Sequence, residues 1–182
     1  MQLLNSNKVL CIGAYVGDVE YSLYGTILKK YKTQFTILVL EETTEPIMKE
    51  SMGIWHGIQN VDGKFGTLED VEDNYDLILT CPNEDLDVNR RETYKIGLDK
   101  FINEGISFCT YKTITSYDTR YNLHCDITGQ YNKKTFLLED LRSLSNKPHL
   151  DKSYMEFFNT NNMYSNLFGK KVESLNVIGQ VE

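Results

Sequence analysis

The sequence lacks the features of membrane, exported and nucleic-acid-binding proteins. Its longest apolar runs, such as residues 35–40, have the length of a strand, far short of the roughly 20 residues that a membrane-spanning helix needs. Residues 1–8 show no basic segment, apolar segment or cleavage site of an export signal, so we predict a cytoplasmic protein. Basic residues are outnumbered, with 19 Lys and Arg against 26 Asp and Glu and a net charge of −7, which argues against a broad nucleic-acid-binding face.

Cysteine is scarce and unclustered. The four cysteines are Cys11, Cys81, Cys109 and Cys125. No two of them have the close spacing of a zinc knuckle or a redox pair, so we interpret all four as reduced thiols. Three are interpreted as small buried side chains, whereas the role of Cys81 stays open because it closes a strand beside the predicted site.

Histidine is scarcer still, and its scarcity bears on metal binding. The three histidines are His56 on a predicted helix, His124 in a predicted strand and His149 in a loop beside Pro148. No pair of them has the spacing of metal ligands. We interpret each one as an ordinary surface or hydrogen-bonded histidine.

The chain does have enough apolar sequence for one folded domain. With 182 residues, of which 41% are hydrophobic, it can bury a core without disulfides, and we treat residues 1–182 as a single domain. Apolar runs at 8–13, 35–40, 75–80 and 106–111 predict strands, a further short strand is predicted at 61–65, and helices are predicted at 21–31, 46–58 and 89–103. Strands that are apolar on both faces and alternate with helices predict an α/β fold, a Rossmann-like three-layer sandwich with a mainly parallel sheet.

The last third of the chain has a different pattern. It predicts a strand at 122–127, two helices at 131–144 and 153–167, and an edge strand at 172–177. Pro148 and its Ser- and Asn-rich surroundings predict a loop between the two helices rather than a domain boundary.

The predicted site lies in two loops. In an open parallel sheet, ligands bind beyond the carboxyl ends of the strands, where the strand order reverses. We therefore expect strands 1 and 4 to be neighbours, and residues 14–20 and 81–91 to flank one crevice. The spacing of Gly13 and Gly17 does not match a dinucleotide fingerprint, because the bulky Tyr15 stands where bare backbone is needed, so no nucleotide cofactor is expected.

Two motifs carry a resemblance to a known family. Residues 9–21, VLCIGAYVGDVEY, followed by GTIL at 25–28, resemble the opening of the LmbE/PIG-L family of zinc-dependent N-acetylglucosamine deacetylases. That family has Ala-His-Pro-Asp-Asp-Glu or Ala-His-Pro-Asp-Asp-Val-Glu at this loop and Gly-Gly-Thr-Leu in the helix. The segment EDLDVNRR at 84–91 stands where the family has His-X-Asp-His, often followed by Arg. With further similarity at 76–80, 126–128 and 167–173, the resemblance implies the LmbE/PIG-L deacetylase-like fold over nearly the whole chain.

The departures from the family pattern fall on its working residues. Carried onto this sequence, the family's metal ligands become Tyr15, Asp18 and Arg90, its base becomes Gly17, its acid or stabiliser becomes Asp87, and the Asp that orients this last group becomes Asn89. A hydrolytic zinc site needs three ligands drawn from His, Cys and carboxylates. We therefore expect no zinc, no other cofactor and no catalytic residues. A magnesium site built from Asp18, Glu20 and Asp87 is the alternative.

Arg90 has two interpretations. In the favoured one it pairs with Asp18 and joins the two loops as a metal would, which is a structural role. In the other, Arg90 or Arg91 binds a phosphate or carboxylate of a ligand while a tyrosine stacks on a sugar or base. The expected ligand-binding set is Tyr15, Asp18, Glu20, Tyr21, Asp87, Arg90, Arg91 and Tyr117.

These observations lead us to expect a catalytically degenerate deacetylase-like protein. In the crevice it would bind a small sugar, a nucleotide-sugar or another anionic ligand, or else a partner protein. Two alternatives stay open. One is a hydrolase or transferase that acts on an N-acetyl sugar or phosphorylated sugar through a rearranged site without zinc. The other is a non-catalytic subunit of a carbohydrate-modifying complex. The sequence leaves the oligomeric state open.

Overall fold

The computed structural model describes residues 6–72, 74–116, 121–145, 152–160 and 168–179. The strands are β1 (Lys8–Gly13), β2 (Gln34–Val39), β3 (Val61–Phe65), β4 (Leu77–Thr80), β5 (Ser107–Tyr111), β6 (Leu123–Asp126) and β7 (Val172–Gly179). The α-helices are α1 (Asp18–Lys29), α2 (Glu45–His56), α3 (Val88–Glu104), α4 (Tyr131–Ser145) and α5 (Lys152–Thr160).

The strands form one seven-stranded sheet in the order β3-β2-β1-β4-β5-β7-β6. The first five are parallel, and β1 lies between β2 and β4. Val9 and Cys11 of β1 contribute to one buried cluster, whereas Leu10 and Ile12 contribute to a second cluster on the other face. Both faces of this strand are therefore covered, which explains its continuous apolar run. The predicted mainly parallel α/β fold and the pairing of strands 1 and 4 are confirmed.

The position of β7 corrects the prediction of an edge strand. It lies inside the sheet, antiparallel to β5 on one side and to β6 on the other, so β6 takes the edge. Residues 172–175 are all buried, and Glu173 is among the most deeply buried charged residues. A run with a charged residue at its centre resembles an edge strand in sequence. Here Lys134 of α4 neutralises that charge inside the protein.

Helix α1 begins at Asp18, three residues before the predicted start at residue 21. Gly17 precedes it with φ of 98°, in the left-handed region that favours glycine. The Gly17 backbone N–H donates to the Glu20 carboxylate (3.1 Å), which satisfies one of the free donors at the helix start. The sequence pattern missed this first turn because its buried residues are partly acidic.

Some predicted features lie outside the described residues. These are the loop around Pro148, His149, Tyr117 and the continuation of the predicted helix 153–167 beyond residue 160. His56 and His124 lie on α2 and β6 as predicted. All four cysteines are buried free thiols, and burial raises the pKa of Cys109 to about 12. Within the described part of the chain, no helix is both long and apolar enough to cross a membrane.

Candidate functional site at the carboxyl ends of strands β1 and β4

The predicted crevice lies where the loop that follows β1, residues 14–17, meets the loop that follows β4, residues 81–87. Backbone N–H groups of the first loop donate to carboxylates from two different parts of the chain. The Tyr15 N–H donates to Asp18 Oδ2 (3.1 Å), and the Val16 N–H donates to Glu41 Oε2 (3.0 Å). Glu41 comes from the loop after β2. The first loop is therefore fixed from both sides.

A buried ion pair between Arg90 and Asp18 joins the two loops. Arg90 Nη2 donates to Asp18 Oδ1 at 2.7 Å, and Arg90 Nε donates to the same oxygen at 3.1 Å. The two side chains are only 6% and 5% exposed. Burial opposes the charge on Arg90, but the Asp18 carboxylate outweighs it and raises the pKa of the guanidinium. The pairing of Arg90 with Asp18 that the favoured interpretation predicted is thus present. Its hydrogen bonds are charge-assisted because they join a guanidinium to a carboxylate.

A second buried carboxylate, Asp85, supports this pair and was not among the site residues predicted from the sequence. Asp85 is 1% exposed and accepts hydrogen bonds from the hydroxyls of Thr113 and Thr115. Arg90 Nη1 donates to Thr115 Oγ1 (2.5 Å), so Thr115 links the guanidinium to Asp85. The alternation of threonines in residues 113–115, two positions after the end of β5, is the sequence signal that could have revealed it.

The outer wall of the crevice is a cluster of Tyr15, Asp87 and Asn89. The Tyr15 hydroxyl donates to Asp87 Oδ1 (3.1 Å) and accepts from Asn89 Nδ2 (2.7 Å). Its ring lies against the Arg90 guanidinium, 5.3 Å from ring centroid to Cζ. Asp87 also caps α3, because its carboxylate accepts from the backbone N–H groups of Asn89 and Arg90. Three of the sequence-predicted positions therefore meet in one hydrogen-bonded cluster.

Other predicted site residues lie elsewhere. Glu20 is fully buried and points at α2, where Oε1 accepts from Ser51 (2.7 Å) and from the Trp55 indole (3.3 Å). Tyr21 is 2% exposed and packs on the Phe158 ring, with centroids 4.4 Å apart. Glu20 therefore faces α2 rather than the Asp18 and Asp87 carboxylates that the magnesium alternative grouped with it. Ligand contact by Glu20 or Tyr21 stays a prediction. Positions 18 and 20 lie on opposite sides of α1, since residues two apart do not share a helix face.

The side chains of Arg91 and Cys81 also contact other protein groups. Arg91 Nη1 donates to the backbone carbonyls of Asp85 (2.6 Å) and Leu86 (3.0 Å). The Cys81 thiol is buried beside Asp18, 3.8 Å from Oδ2, and beside the Tyr111 hydroxyl at 3.3 Å. Burial, followed by the Asp18 charge, raises the pKa of this thiol. The raised pKa favours the protonated thiol over the thiolate, which is the nucleophilic form.

Zinc does not fit the residues at this site. Of the three positions implied by the motifs, Tyr15 and Arg90 offer a phenol and a cation. The Asp18 oxygens are occupied by Arg90 and by the Tyr15 N–H. A guanidinium 2.7 Å from the carboxylate fills the place of an ion and repels it electrostatically. Within the described residues, no group of three His, Cys, Asp or Glu side chains is placed to hold a metal.

No protein-family model and no curated protein matches this sequence. Solved structures share its fold. The 4-carboxy-2-hydroxymuconate hydratase GalB from Pseudomonas putida KT2440 superposes with a TM-score of 0.70 at 12% identity, over 97% of this chain and 98% of the hydratase. N,N'-diacetylchitobiose deacetylase from Pyrococcus horikoshii gives 0.67 at 16% identity, over 98% and 86%. A deacetylase of the teicoplanin biosynthesis pathway gives 0.68 at 8% identity, over 92% and 96%.

The chain therefore has the α/β fold of the LmbE/PIG-L-type deacetylases. The resemblance drawn from the two motifs is confirmed at the level of the fold.

Proposed function

We propose that this chain is a metal-independent, non-hydrolysing protein of the deacetylase fold that binds a small hydroxyl-bearing ligand, in the first instance a sugar, at the crevice. The observation that carries the proposal is the buried Arg90–Asp18 pair, with Nη2 and Oδ1 2.7 Å apart. The Arg90 guanidinium, a cation covalently attached to the chain, stands in place of a dissociable metal ion. Gly17 adds to this argument, because it has no side chain to act as a base.

The charges around the crevice favour a neutral ligand over an anionic one. Three carboxylates, from Asp18, Asp85 and Asp87, stand against two guanidinium groups. Arg90 is engaged by Asp18 and Thr115, and Arg91 by backbone carbonyls. A phosphate would meet excess negative charge here, because Arg90 is already paired with Asp18 and Arg91 alone faces the remaining two carboxylates. We therefore place the neutral sugar ahead of the nucleotide-sugar and of other anions.

The outer cluster can recognise hydroxyl groups. Asp87 is an acceptor, the Asn89 amide is both donor and acceptor, and the Tyr15 hydroxyl is both as well. The Tyr15 ring adds an aromatic surface beside them. One protein of the same fold is a deacetylase of N,N'-diacetylchitobiose, which makes this disaccharide the first ligand to test. Another is a hydratase, so the fold alone does not decide the reaction.

The test combines metal content, activity and binding. Protein produced with added zinc is dialysed and its zinc measured by elemental analysis. Acetate release from N,N'-diacetylchitobiose is assayed with zinc present, and binding of the disaccharide is followed by NMR line broadening. We expect no stoichiometric zinc, no acetate and measurable binding. Stoichiometric zinc or catalytic acetate release would overturn the non-hydrolytic assignment, and absence of binding would overturn the sugar assignment.

Two matched variants locate the binding. Tyr15→Phe removes the hydroxyl from the cluster and keeps the ring, so disaccharide binding is expected to weaken. Tyr31→Phe makes the same change on a tyrosine that is 72% exposed, next to the end of α1, and is expected to bind like the wild type. Equal loss in both variants would place the ligand elsewhere.

A further inference from the structure

A cavity separate from the crevice lies at the opposite edge of the sheet, beside the amino ends of β1 and β2. It has a volume of about 380 Å³ and is lined by residues 6–7 and 29–33. Residues 6–7 lead into β1, and residues 29–33 join the end of α1 to β2. Pockets for small ligands begin at about 300 Å³, so this cavity has room for one.

Hydrogen bonds hold the walls of this cavity together. The Thr33 N–H donates to the Lys30 carbonyl (2.9 Å), which closes a turn after α1. The Thr33 hydroxyl donates to the Ser6 carbonyl (3.0 Å), and the Asn60 side-chain amide donates to the Lys30 carbonyl (3.2 Å). The cavity is therefore shaped by the folded backbone.

The lining of the cavity concentrates positive charge. Lys29, Lys30 and Lys32 all contribute to it, and none of the lining residues is acidic. Within the part of the chain that the structure describes, no carboxylate lies within ion-pair distance of these three lysines. The whole chain has a net charge of −7, so three such lysines around one cavity are an exception to its overall charge.

Exposed lysines on other helices have acidic partners. Lys49 of α2 pairs with Glu45 (2.6 Å), and Lys95 of α3 pairs with Glu92 (2.7 Å). Each partner lies one helical turn before its lysine. The positions one turn before the cavity lysines, residues 25–29, read GTILK and offer no carboxylate.

Two carboxylates close to the cavity lining are engaged by other groups. Asp76 accepts from the two backbone N–H groups of residues 7–8 (2.8 and 2.9 Å). Asp126, whose backbone carbonyl accepts from the Lys29 amine (2.7 Å), pairs with Lys170 (3.4 Å). Neither carboxylate therefore serves as the counter-ion of the cavity lysines.

The end of α1 accounts for only part of this charge. The carboxyl end of a helix dipole favours a cation within the last turn, and Lys29 is the last residue of α1. Lys32 lies three residues further on, beyond the reach of that effect. An anionic ligand would supply the counter-charge that the described residues do not.

We propose that this cavity binds a small molecule that carries a diphosphate group. A phosphate group near neutral pH carries a charge of about −1.5 to −2, so roughly two such groups match three lysines. Ammonium groups form charge-assisted hydrogen bonds with phosphate oxygens. The Ser6 hydroxyl and the Asn7 amide add uncharged donors. The proposal does not rest on sugar binding at the crevice.

The test uses inorganic pyrophosphate as the probe and the full chain in a buffer without divalent cations. Binding is measured by isothermal titration calorimetry, and the ligand is located from NMR shift changes of backbone amides. We expect saturable binding that weakens as the salt concentration rises, because salt screens exposed charges. The shift changes should centre on residues 29–33 rather than on residues 14–17. Inorganic phosphate, which has a single group, should bind more weakly than pyrophosphate.

Two double variants with the same change in charge test the location. Lys30→Gln with Lys32→Gln removes two charges from the cavity, so pyrophosphate should bind about tenfold more weakly. Lys49→Gln with Lys95→Gln removes two charges from the exposed pairs of α2 and α3. This control should weaken binding by less than about twofold.

Four outcomes would overturn the proposal. Pyrophosphate could fail to bind, or both double variants could lose affinity equally. Inorganic phosphate could bind as tightly as pyrophosphate, which would contradict the diphosphate group. Finally, the protein could bind vesicles that contain phosphatidic acid and not free pyrophosphate, which would assign the lysines to a membrane surface.

Discussion

Two buried ion pairs hold helix α1 to other parts of the chain, and they differ in their surroundings. Asp18, the first residue of α1, pairs with Arg90 at the crevice, where both side chains retain slight exposure. Glu173 of β7 contacts the middle of the helix and pairs with Lys134, and both of these side chains are fully buried. The similar geometry of the crevice pair is what the structural interpretation of Arg90 predicts.

The interior pair should be the more costly one to break. Lys134→Met leaves the Glu173 carboxylate buried with two backbone N–H donors and no cation. We expect a loss of about 3–5 kcal/mol in the free energy of unfolding, measured by urea denaturation. Lys49→Met, which breaks an exposed pair with Glu45, should change it by less than about 1 kcal/mol. Similar losses in both variants would contradict the burial argument.

The crevice pair should be less costly to break and has a second readout. Asp18→Asn keeps the shape but leaves Arg90 with Asp85 as its remaining acidic neighbour, 4.0 Å away. We expect a loss of about 2–3 kcal/mol with disaccharide binding retained. If Asp18 instead served a catalytic site without zinc, its substitution would abolish a measurable turnover. A turnover lost without loss of stability would favour that alternative.

Glu20 can be compared with the two ion pairs, because it is a buried carboxylate on the same helix without a basic partner among the described residues. Burial raises its pKa above the ordinary value of 4.5. The folded state therefore holds this proton more tightly than the unfolded chain does. The protonated Glu20 carboxyl therefore stabilises the folded protein fully at pH values below its pKa in the unfolded chain. This stabilisation is lost as the pH rises through its pKa in the folded state.

The matched variant is Glu20→Gln, which cannot ionise. From about pH 4.5 upward, the wild type should lose stability relative to this variant, as measured by thermal unfolding over a pH series. At pH values below about 4.5 the variant itself is expected to cost about 1–3 kcal/mol, since its amide N–H faces the Gly17 N–H, and this cost should shrink as the pH rises. A stability difference that does not change with pH would contradict the raised pKa.

The smallest effect is expected at the crevice rim. Tyr15→Phe removes two hydrogen bonds from a partly exposed hydroxyl. The loss in stability should be about 1 kcal/mol or less, measured by urea denaturation. A larger loss would mean that the outer cluster, rather than the ion pair beneath it, holds the two loops together.

Much of the fold could be predicted because the parallel strands are apolar on both faces. That pattern located β1 and β2 closely and placed strands 1 and 4 together. The position of β7 could not be read in the same way. Its interior place depends on a charge, Glu173, that is neutralised by Lys134 from a helix distant in sequence. The periodicity of apolar residues reports only on residues that are close in sequence.

The candidate site could be predicted where position along the chain decides contact. Arg90 and Asp18 follow neighbouring parallel strands, so their pairing followed from topology and opposite charge. Glu20 was placed wrongly by proximity in sequence, although helical geometry turns it away from Asp18. Asp85 was missed because its burial depends on two threonine hydroxyls that come from another loop.

The contact between β7 and the middle of α1 bears on how the chain folds. The backbone N–H groups of Gly25 and Thr26 donate to the Glu173 carboxylate at 2.9 Å and 2.7 Å. In the sequence, Gly25 and Thr26 precede Glu173 by 148 and 147 positions. A growing chain therefore carries α1 through the synthesis of some 147 further residues before the Glu173 carboxylate is made. Such long-range closure slows folding and makes α1 depend on a strand that is translated much later.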